Sequence, residues 1–184
     1  MNRKTIETTP FGSVAIIWTP AYETPKIVRI LHSKPGASAE QQASELYPNL
    51  PVSSCAEIDT VAAEINRFLE GEHVGFSLDI VDLSLCSEFQ QRVLRAEHAI
   101  PRGYISTYRN IARHLGGNGA RAVGNALARN PFPFIIPCHR TIRSDFSLGG
   151  FQGGLQMKRT LLEMEGIRFN ESERVESAGL YYDT

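Results

Sequence analysis

The 184-residue sequence predicts an α/β protein in two parts: a mixed α/β N-terminal region and a mostly helical C-terminal region built on a helix-turn-helix. Three observations predict it. Apolar runs at 11–18 and 26–32 signal paired strands, and an amphipathic helix follows at 57–70. The stretch 105–131 reads as helix, Gly-rich turn, helix. Charge divides the same way: residues 1–80 carry 6 Lys+Arg against 10 Asp+Glu, residues 81–170 carry 12 against 6, and 171–184 carry 1 against 4. The expected organisation is a structural domain over 1–83, a functional domain over 84–170 and an acidic flexible tail over 171–184.

Each element has its own signal. "FGSVAIIW" (11–18) and "KIVRILH" (26–32) form a hairpin around "TPAYETP", whose two prolines make the turn. "EIDTVAAEINRFLE" (57–70) puts Val61, Ile65, Phe68 and Leu69 on one helical stripe, and Gly71 stops it. "HVGFSLDIVDL" (73–83) alternates Phe76, Leu78 and Ile80 inward, like a strand. Ser87 and Gln90 form a capping-box pattern ahead of Phe89, Val93 and Leu94 in a helix that ends before Pro101. Tyr108, Ile111, Ala112 and Leu115 share a face of the next helix, with Ser106 or Thr107 as N-cap. "GGNG" (116–119) turns the chain into a second helix marked by Ala120, Val123 and Leu127, which Asn130-Pro131 ends. The last helix, 153–166, buries Leu155 and Leu162 and stops at Gly166.

Composition excludes several classes. No apolar run approaches the ~20 residues of a bilayer span, and "MNRKTIETTPFG" lacks the apolar core of a secretory signal. Cys55, Cys86 and Cys138 lie 31 and 52 residues apart, neither a metal-ligand spacing nor a disulfide framework. His32, His73, His98 and His114 are scattered, so no metal is expected, and a reducing cytoplasm is the expected compartment.

No acid occurs between Glu97 and Asp145, while Arg102, Arg109, Arg113, Arg121, Arg129, Arg140 and Arg143 all do. Such a stretch suits either a solvated basic face or a polyanion partner, because Arg binds phosphate in bidentate fashion. The second helix of the pair, rich in Ala and Gly around Arg121, has few side chains that could read base edges. Small residues do let a helix approach a nucleic-acid backbone closely, or pack on another helix. With the arginines around it, nucleic acid is the better reading.

That basic stretch contains "FIIPCHRTIR" (134–143). Cys138 is either a small apolar residue finishing a strand or a nucleophile. A free thiol has a pKa of about 8.5, so reactivity at neutral pH needs a base to take the proton. A carboxylate can in turn hold an imidazole base in the right tautomer.

"IPCHR" (136–140), preceded by "ARAVGNALARNP" and followed by "GGFQGGLQMKRTLLEMEG", resembles the O6-alkylguanine-DNA alkyltransferases, also called methylated-DNA–protein-cysteine methyltransferases. The resemblance spans about residues 87–168. It implies a ribonuclease H-like N-terminal domain, a winged helix-turn-helix domain, and direct transfer of an alkyl group from O6-alkylguanine in duplex DNA to Cys138, once per molecule. His139 would be the base, acting through a bridging water, and Glu165 would orient it. Tyr108 would rotate the nucleotide's phosphate and donate a proton to the leaving guanine. Asn130 would bridge the helix-turn-helix to the active-site strand. Arg121 would fill the gap left by the flipped nucleotide from the minor groove, with Ala120, Ala122, Thr107 and Arg129 also at the DNA. Pro133, Thr141, Phe151 and Gln152 would wall the pocket.

The resemblance implies double-stranded DNA as partner, no cofactor, a monomer, and a cytoplasmic, nucleoid-associated location, or a nuclear one in a eukaryote. This sequence has Phe151 where many relatives have Tyr, Thr141 in place of the usual valine, and Phe146 where glycine is common, which bears on substrate range. O4-alkylthymine and bulky alkyl groups stay open as substrates. The competing readings are a lesion-binding sensor without efficient transfer, a helix-turn-helix regulator with an incidental thiol, and a thiol redox enzyme.

Overall fold

The computed structural model describes residues 1–20 and 23–183. The chain divides into two compact units, Met1–Leu85 with Pro131–Ile135, and Cys86–Asn130 with Ile136–Thr184. Part of the turn expected over 19–25 lies outside the described residues. No helix among them is long and apolar enough to cross a membrane.

The first unit is an antiparallel sheet of β1 (Asn2–Thr9), β2 (Gly12–Thr19) and β3 (Lys26–His32), in that order. The β2–β3 pairing matches the hairpin read from the sequence; β1 was not expected, because its charged residues hide the alternation. Central β2 is buried from Ser13 to Trp18, since helices cover it. Helix α1 (Ala39–Leu46) packs Ala39 and Ala43 against Ala15, Ile17 and Leu31. Its capping box is complete: Ser38 Oγ accepts from Gln41 N at 3.2 Å, and Gln41 Oε1 accepts from Ser38 N at 2.8 Å. Helix α2 (Ala56–Leu69) buries Ile58, Val61, Ile65, Phe68 and Leu69.

The strand expected over 73–83 does not form. Its core is a 3-10 turn, Leu78–Ile80, where Ser77 Oγ accepts from Asp79 N at 3.1 Å. Phe76, Leu78 and Ile80 are half-buried and Ser77 and Asp79 exposed, so the alternation reported burial, while backbone pairing is confined to one parallel bridge between Val81 and Ile27, with Asp82 N donating to Ile27 O at 2.9 Å. In Pro131–Ile135, Pro131 O accepts from Ile30 N at 2.8 Å, and the Phe134 ring meets His32 and Phe68.

The second unit opens with α3 (Glu88–His98), capped by Ser87 Oγ accepting from Gln90 N at 3.3 Å. The capping box expected there is only half made. Gln90 instead donates through Nε2 to the carbonyls of Ala126 and Arg129, at 3.2 and 3.1 Å. Phe89, expected on the apolar face, is 43% exposed, whereas Glu97 is fully buried. Strand β4 (Tyr104–Thr107) runs straight into α4 (Tyr108–His114), where Thr107 Oγ1 accepts from Asn110 N. Gly116, at φ +81°, turns the chain toward α5 (Ala120–Ala128), which packs on α4. Val123, Ala126 and Leu127 face inward; Arg121, Ala122, Asn125 and Ala128 face solvent.

Strand β5 (Thr141–Ile142) lies parallel to β4. Helix α6 (Gly154–Met164) buries Met157, Lys158, Leu161 and Leu162. Leu155, expected in that stripe, is 56% exposed, because the buried face is turned onto Lys158. Strand β6 (Arg168–Phe169) pairs antiparallel with β7 (Val175–Ser177). Strand β8 (Gly179–Leu180) completes a β5-β4-β8 sheet.

The tail expected to be flexible is thus tied down. Tyr181 N donates to Ile105 O at 2.7 Å, Ser106 Oγ donates to Tyr181 O at 2.8 Å, and the Tyr182 ring stacks on His114 with centroids 3.8 Å apart. Its acidic composition masked the Val175, Leu180 and tyrosine contacts that order it. Ile105, Ile142, Leu162, Ile167 and Val175 form the core beneath this sheet.

Candidate active site

Cys138 does not end a strand. It begins a single 3-10 turn, Cys138–Arg140, after Pro137. Cys138 N donates to Ile136 O and Arg140 N to Pro137 O, both at 2.8 Å. Asn130, just past the end of α5, donates through Nδ2 to Ile136 O at 2.9 Å and also hydrogen-bonds the Cys138 sulfur. The thiol is 8% exposed. Burial, reinforced by the Glu97 carboxylate, pushes it up to about 11, against the opposing pull of Asn130 and the Lys158 ammonium. At rest, Cys138 is protonated.

The same turn aims the next two side chains inward. His139 Nε2 lies 2.9 Å from Glu165 Oε1, with both side chains buried. Arg140 grips the same carboxylate: Nε reaches Oε2 at 2.9 Å, Nη2 reaches Oε1 at 2.7 Å, and Nη1 donates to Ile100 O at 2.6 Å. Burial alone would raise Glu165, but hydrogen bonds and charge from His139 and Arg140 outweigh it and hold the carboxyl at about 2. Burial also lowers His139 below its ordinary 6.5, so at neutral pH the charged partner of Glu165 is Arg140. An ionised carboxylate only accepts, so Nε2 must carry the ring proton, which leaves Nδ1 as the basic nitrogen. Arg140 is therefore a pairing residue of the interior, not part of a basic face.

A cavity of about 790 Å³ lies within the second unit. Of the residues expected at the site, it brings together Cys138, Tyr108, Ala120, Arg121, Phe151 and Gln152. His139, Glu165 and Asn130 lie outside its lining, in the buried structure around Cys138. Ala122, Thr107, Arg129 and Pro133 do not line it either: Ala122 and Arg129 are exposed, Thr107 caps α4, and Pro133 belongs to the first unit. Tyr108 packs so closely on Gly149 that a Cβ there would lie 2.9 Å from its hydroxyl. Burial first, then the charges of Glu97 and Cys138, push Tyr108 up to about 12, so it remains a donor. Gln152 Nε2 donates to the carbonyls of Ala128 and Asn130, at 3.0 and 3.1 Å, tying the loop after β5 to the end of α5.

Thr141 departs from its expected place on the pocket wall. It is fully buried, and its hydroxyl donates to Glu97 Oε2 at 2.5 Å. Its carbonyl accepts from Lys158 Nζ at 2.6 Å, and Lys158 also reaches Gly150 O at 3.4 Å. Burial pushes Glu97 up to about 7 and Lys158 down to about 8. Sequence reasoning missed this interior pair, although a signal was present. Glu97 follows Val93 and Leu94, and Lys158 precedes Leu161 and Leu162, each at core-facing helical spacing.

The profile described as "6-O-methylguanine DNA methyltransferase, DNA binding domain" matches residues 88–167. A methylated-DNA–protein-cysteine methyltransferase of Methanothermobacter thermautotrophicus is 52% identical over 103 residues, which make up 56% of this chain and 58% of that protein. The chain thus spans little more than half the length of that relative. An inducible methylated-DNA–protein-cysteine methyltransferase of Bacillus subtilis is 34% identical over 135 residues, 72% of this chain and 74% of that protein. The structure of Mycobacterium tuberculosis OGT in complex with DNA superimposes with a TM-score of 0.71 at 31% identity, covering 90% of this chain and 92% of that one. With the thiol, the paired histidine and carboxylate, and the cavity in one unit, these likenesses place the chain in the methylated-DNA–protein-cysteine methyltransferase family.

Proposed function

We propose that the protein repairs alkylated DNA by moving the alkyl group of an O6-alkylguanine onto Cys138, irreversibly and once per molecule. One observation carries this reading: Cys138 opens onto a cavity lined by Tyr108 and Arg121, and its neighbour His139 is held by an ionised Glu165. The proton on the Cys138 sulfur passes to His139 Nδ1, through a water in the reading implied by the family. The thiolate then attacks the alkyl carbon, forming the S–C bond as the O6–C bond breaks. Guanine leaves as its anion and takes a proton from Tyr108, and the phenolate regains one by way of His139. The net products are a cysteine thioether and guanine.

In this reading the N-terminal domain is ribonuclease H-like and supports a winged helix-turn-helix domain, where α4 and α5 meet duplex DNA. Arg121, exposed on α5, fills the gap left by the flipped base, and Ala120, Ala122 and Arg129 lie along the duplex, while Thr107, buried as the cap of α4, does not reach it. The small side chains of α5 support close approach to the minor groove. Phe151 and Gln152 hold the base. The protein acts as a monomer wherever the DNA is, the nucleoid or the nucleus.

The test is intact-mass spectrometry after incubation with a duplex carrying O6-methylguanine. Transfer adds a methylene, about 14 Da, to the wild type and nothing to Cys138→Ser, whose hydroxyl is a far poorer nucleophile. Tight binding to the methylated duplex with no mass gain in the wild type would mark a sensor instead and refute transfer.

A further inference from the structure

The cavity is asymmetric in a way that its identification as a base pocket leaves unused. Its inner wall is apolar or buried, with Cys138, Leu127 and Gly149 among its residues, while Arg121, Asn125 and Arg143 are exposed. No acid lines it. Arg121 stands on α5; Arg143 stands on a different element, immediately after β5. The loop holding Arg143 is closed by its own backbone. Arg143 N donates to Ser147 O at 2.9 Å, Phe146 N donates to Arg143 O at 3.0 Å, and Phe146 takes φ +64°.

Arg143 also keeps its charge uncompensated. The nearest acid in sequence, Asp145, accepts from Ser147 N at 3.1 Å and Ser147 Oγ at 2.7 Å. Among the described residues, no carboxylate lies within ion-pair distance of Arg143, and its side chain makes none of the observed hydrogen bonds. By contrast, Arg140 is spent on Glu165 and the Ile100 carbonyl, and Arg159 pairs with Glu163 and Glu173. Arg143 lines the same cavity as Tyr108 and Cys138, and its charge is felt at Tyr108, so the guanidinium stands near the reacting groups while remaining in solvent. An exposed, unpaired guanidinium carried by a backbone-closed turn at the rim of a cavity calls for an oxyanion.

A nucleotide that delivers its O6 substituent to a buried sulfur must put its base inward and leave its phosphodiester at the rim. We propose that Arg143 anchors the phosphate of the extruded nucleotide, holding the backbone at the cavity rim while the base reaches Cys138. This rests on the transfer reading above. The competing source of the same chemistry is a carboxylate at the end of the alkyl substituent itself, which would bring the anion inside with the base.

The experiment uses the full chain and Arg143→Gln, with Arg143→Lys beside it. Single-turnover transfer is followed by intact mass at saturating O6-methylguanine duplex and, separately, with the free base O6-benzylguanine, which carries no phosphate. A third arm uses duplexes in which one linkage flanking the lesion is a neutral methylphosphonate. The duplex rate of Arg143→Gln should fall relative to its free-base rate by roughly tenfold, the scale of one charge-assisted contact. Its salt slope should drop by about one. At one linkage, methylphosphonate and Arg143→Gln should not add, because each removes the same contact. Arg143→Lys, a point charge on a flexible stem, should recover part of the loss.

Equal losses on duplex and free base, or full additivity at every linkage tested, would overturn the proposal. A loss confined to substituents ending in a carboxylate would overturn it too and move Arg143 to the alkyl group. If the wild type gains no mass from the duplex, transfer itself fails and this proposal with it; if the wild type transfers and Arg143→Gln is unchanged, only this proposal fails.

Discussion

Glu97 is a fully buried carboxyl, one oxygen held by Thr141 and the other, Oε1, without a hydrogen-bond partner among the described residues. Burial raises it from its ordinary 4.5 to about 7, with Thr141, Lys158 and Arg140 opposing the rise. Folding therefore favours the protonated form. The native state suffers nothing from Glu97 below the unfolded value, loses stability as pH climbs from 4.5 toward 7, and carries the full penalty above that. At about 1.4 kcal/mol per pH unit, the penalty comes to about 3–4 kcal/mol. Glu97→Gln keeps an acceptor for the Thr141 hydroxyl and removes the ionisation. It should match the wild type to within a pH-independent offset near pH 4 and gain up to about 3–4 kcal/mol relative to it above about pH 8. Losing the attraction to the Lys158 ammonium trims that gain without reversing its sign. Urea unfolding of both proteins across this range reads the difference directly. A difference that stays flat with pH, or a variant that loses ground as pH rises, would mean that Glu97 ionises freely or stabilises the fold as an anion, and the reasoning would be wrong.

Arg121→Ala should slow transfer from a methylated duplex far more than from a free O6-alkylguanine base, because extruding a base costs a few kcal/mol; parallel single-turnover rates decide it, and equal losses would place Arg121 in support of the site itself. Gly149→Ala puts a Cβ 2.9 Å from the Tyr108 hydroxyl at φ +69°, so denaturant unfolding should show a loss of about 1–3 kcal/mol, and transfer should slow as Tyr108 is displaced. Glu165→Gln leaves Arg140 without its anion and should cost about 3–5 kcal/mol at neutral pH. Because the folded Glu165 is held near 2, that stabilisation is present above the ordinary 4.5 and fades as pH falls toward 2, so unfolding curves for the two proteins should converge in acid.

What could be read from the sequence divides along a physical line. Local signals carried over well: a cap at Ser106 or Thr107, which Thr107 supplies, the turn over 116–119, and the Val123–Leu127 face of α5 each depend on residues within a few positions. Helix α1 escaped notice because its buried face is two alanines, although Ser38 and Gln41 formed the same capping pattern used at Ser87. Strands β5 and β8 have two residues each and exist only because β4 offers both edges, a tertiary fact no local pattern carries. The same holds at the site. Cys138 and His139 were legible by type and adjacency, whereas Arg140 was counted with the exposed arginines because the Glu165 that claims it lies 25 residues away. Thr141 was placed on the pocket wall by the family resemblance alone, which is blind to the buried Glu97 that takes its hydroxyl here.

The run of arginines between Glu97 and Asp145 is therefore not one surface, and Arg140 stands apart from the two arginines that line the cavity. Arg140 turns inward, where its bidentate grip keeps Glu165 ionised and so fixes which nitrogen of His139 is basic. Arg121 and Arg143 stay in solvent at the cavity, where they can meet phosphate. Arg140 and Glu165 prepare a base, yet the thiol beside it is held near 11 by burial, so the prepared base does not by itself ionise Cys138. A thiol that high is a weak target for oxidants and stray electrophiles. Under the proposed transfer, in which the nucleophile is spent once, the protein gains from that restraint. Ionisation then has to wait for a base in the cavity, whose arrival displaces solvent and supplies the carbon to attack. On this account, the outward arginines decide when the inward pair is used. Reactivity of Cys138 toward a small neutral alkylating agent should stay low in the free protein, while transfer from a nucleotide seated at the rim proceeds.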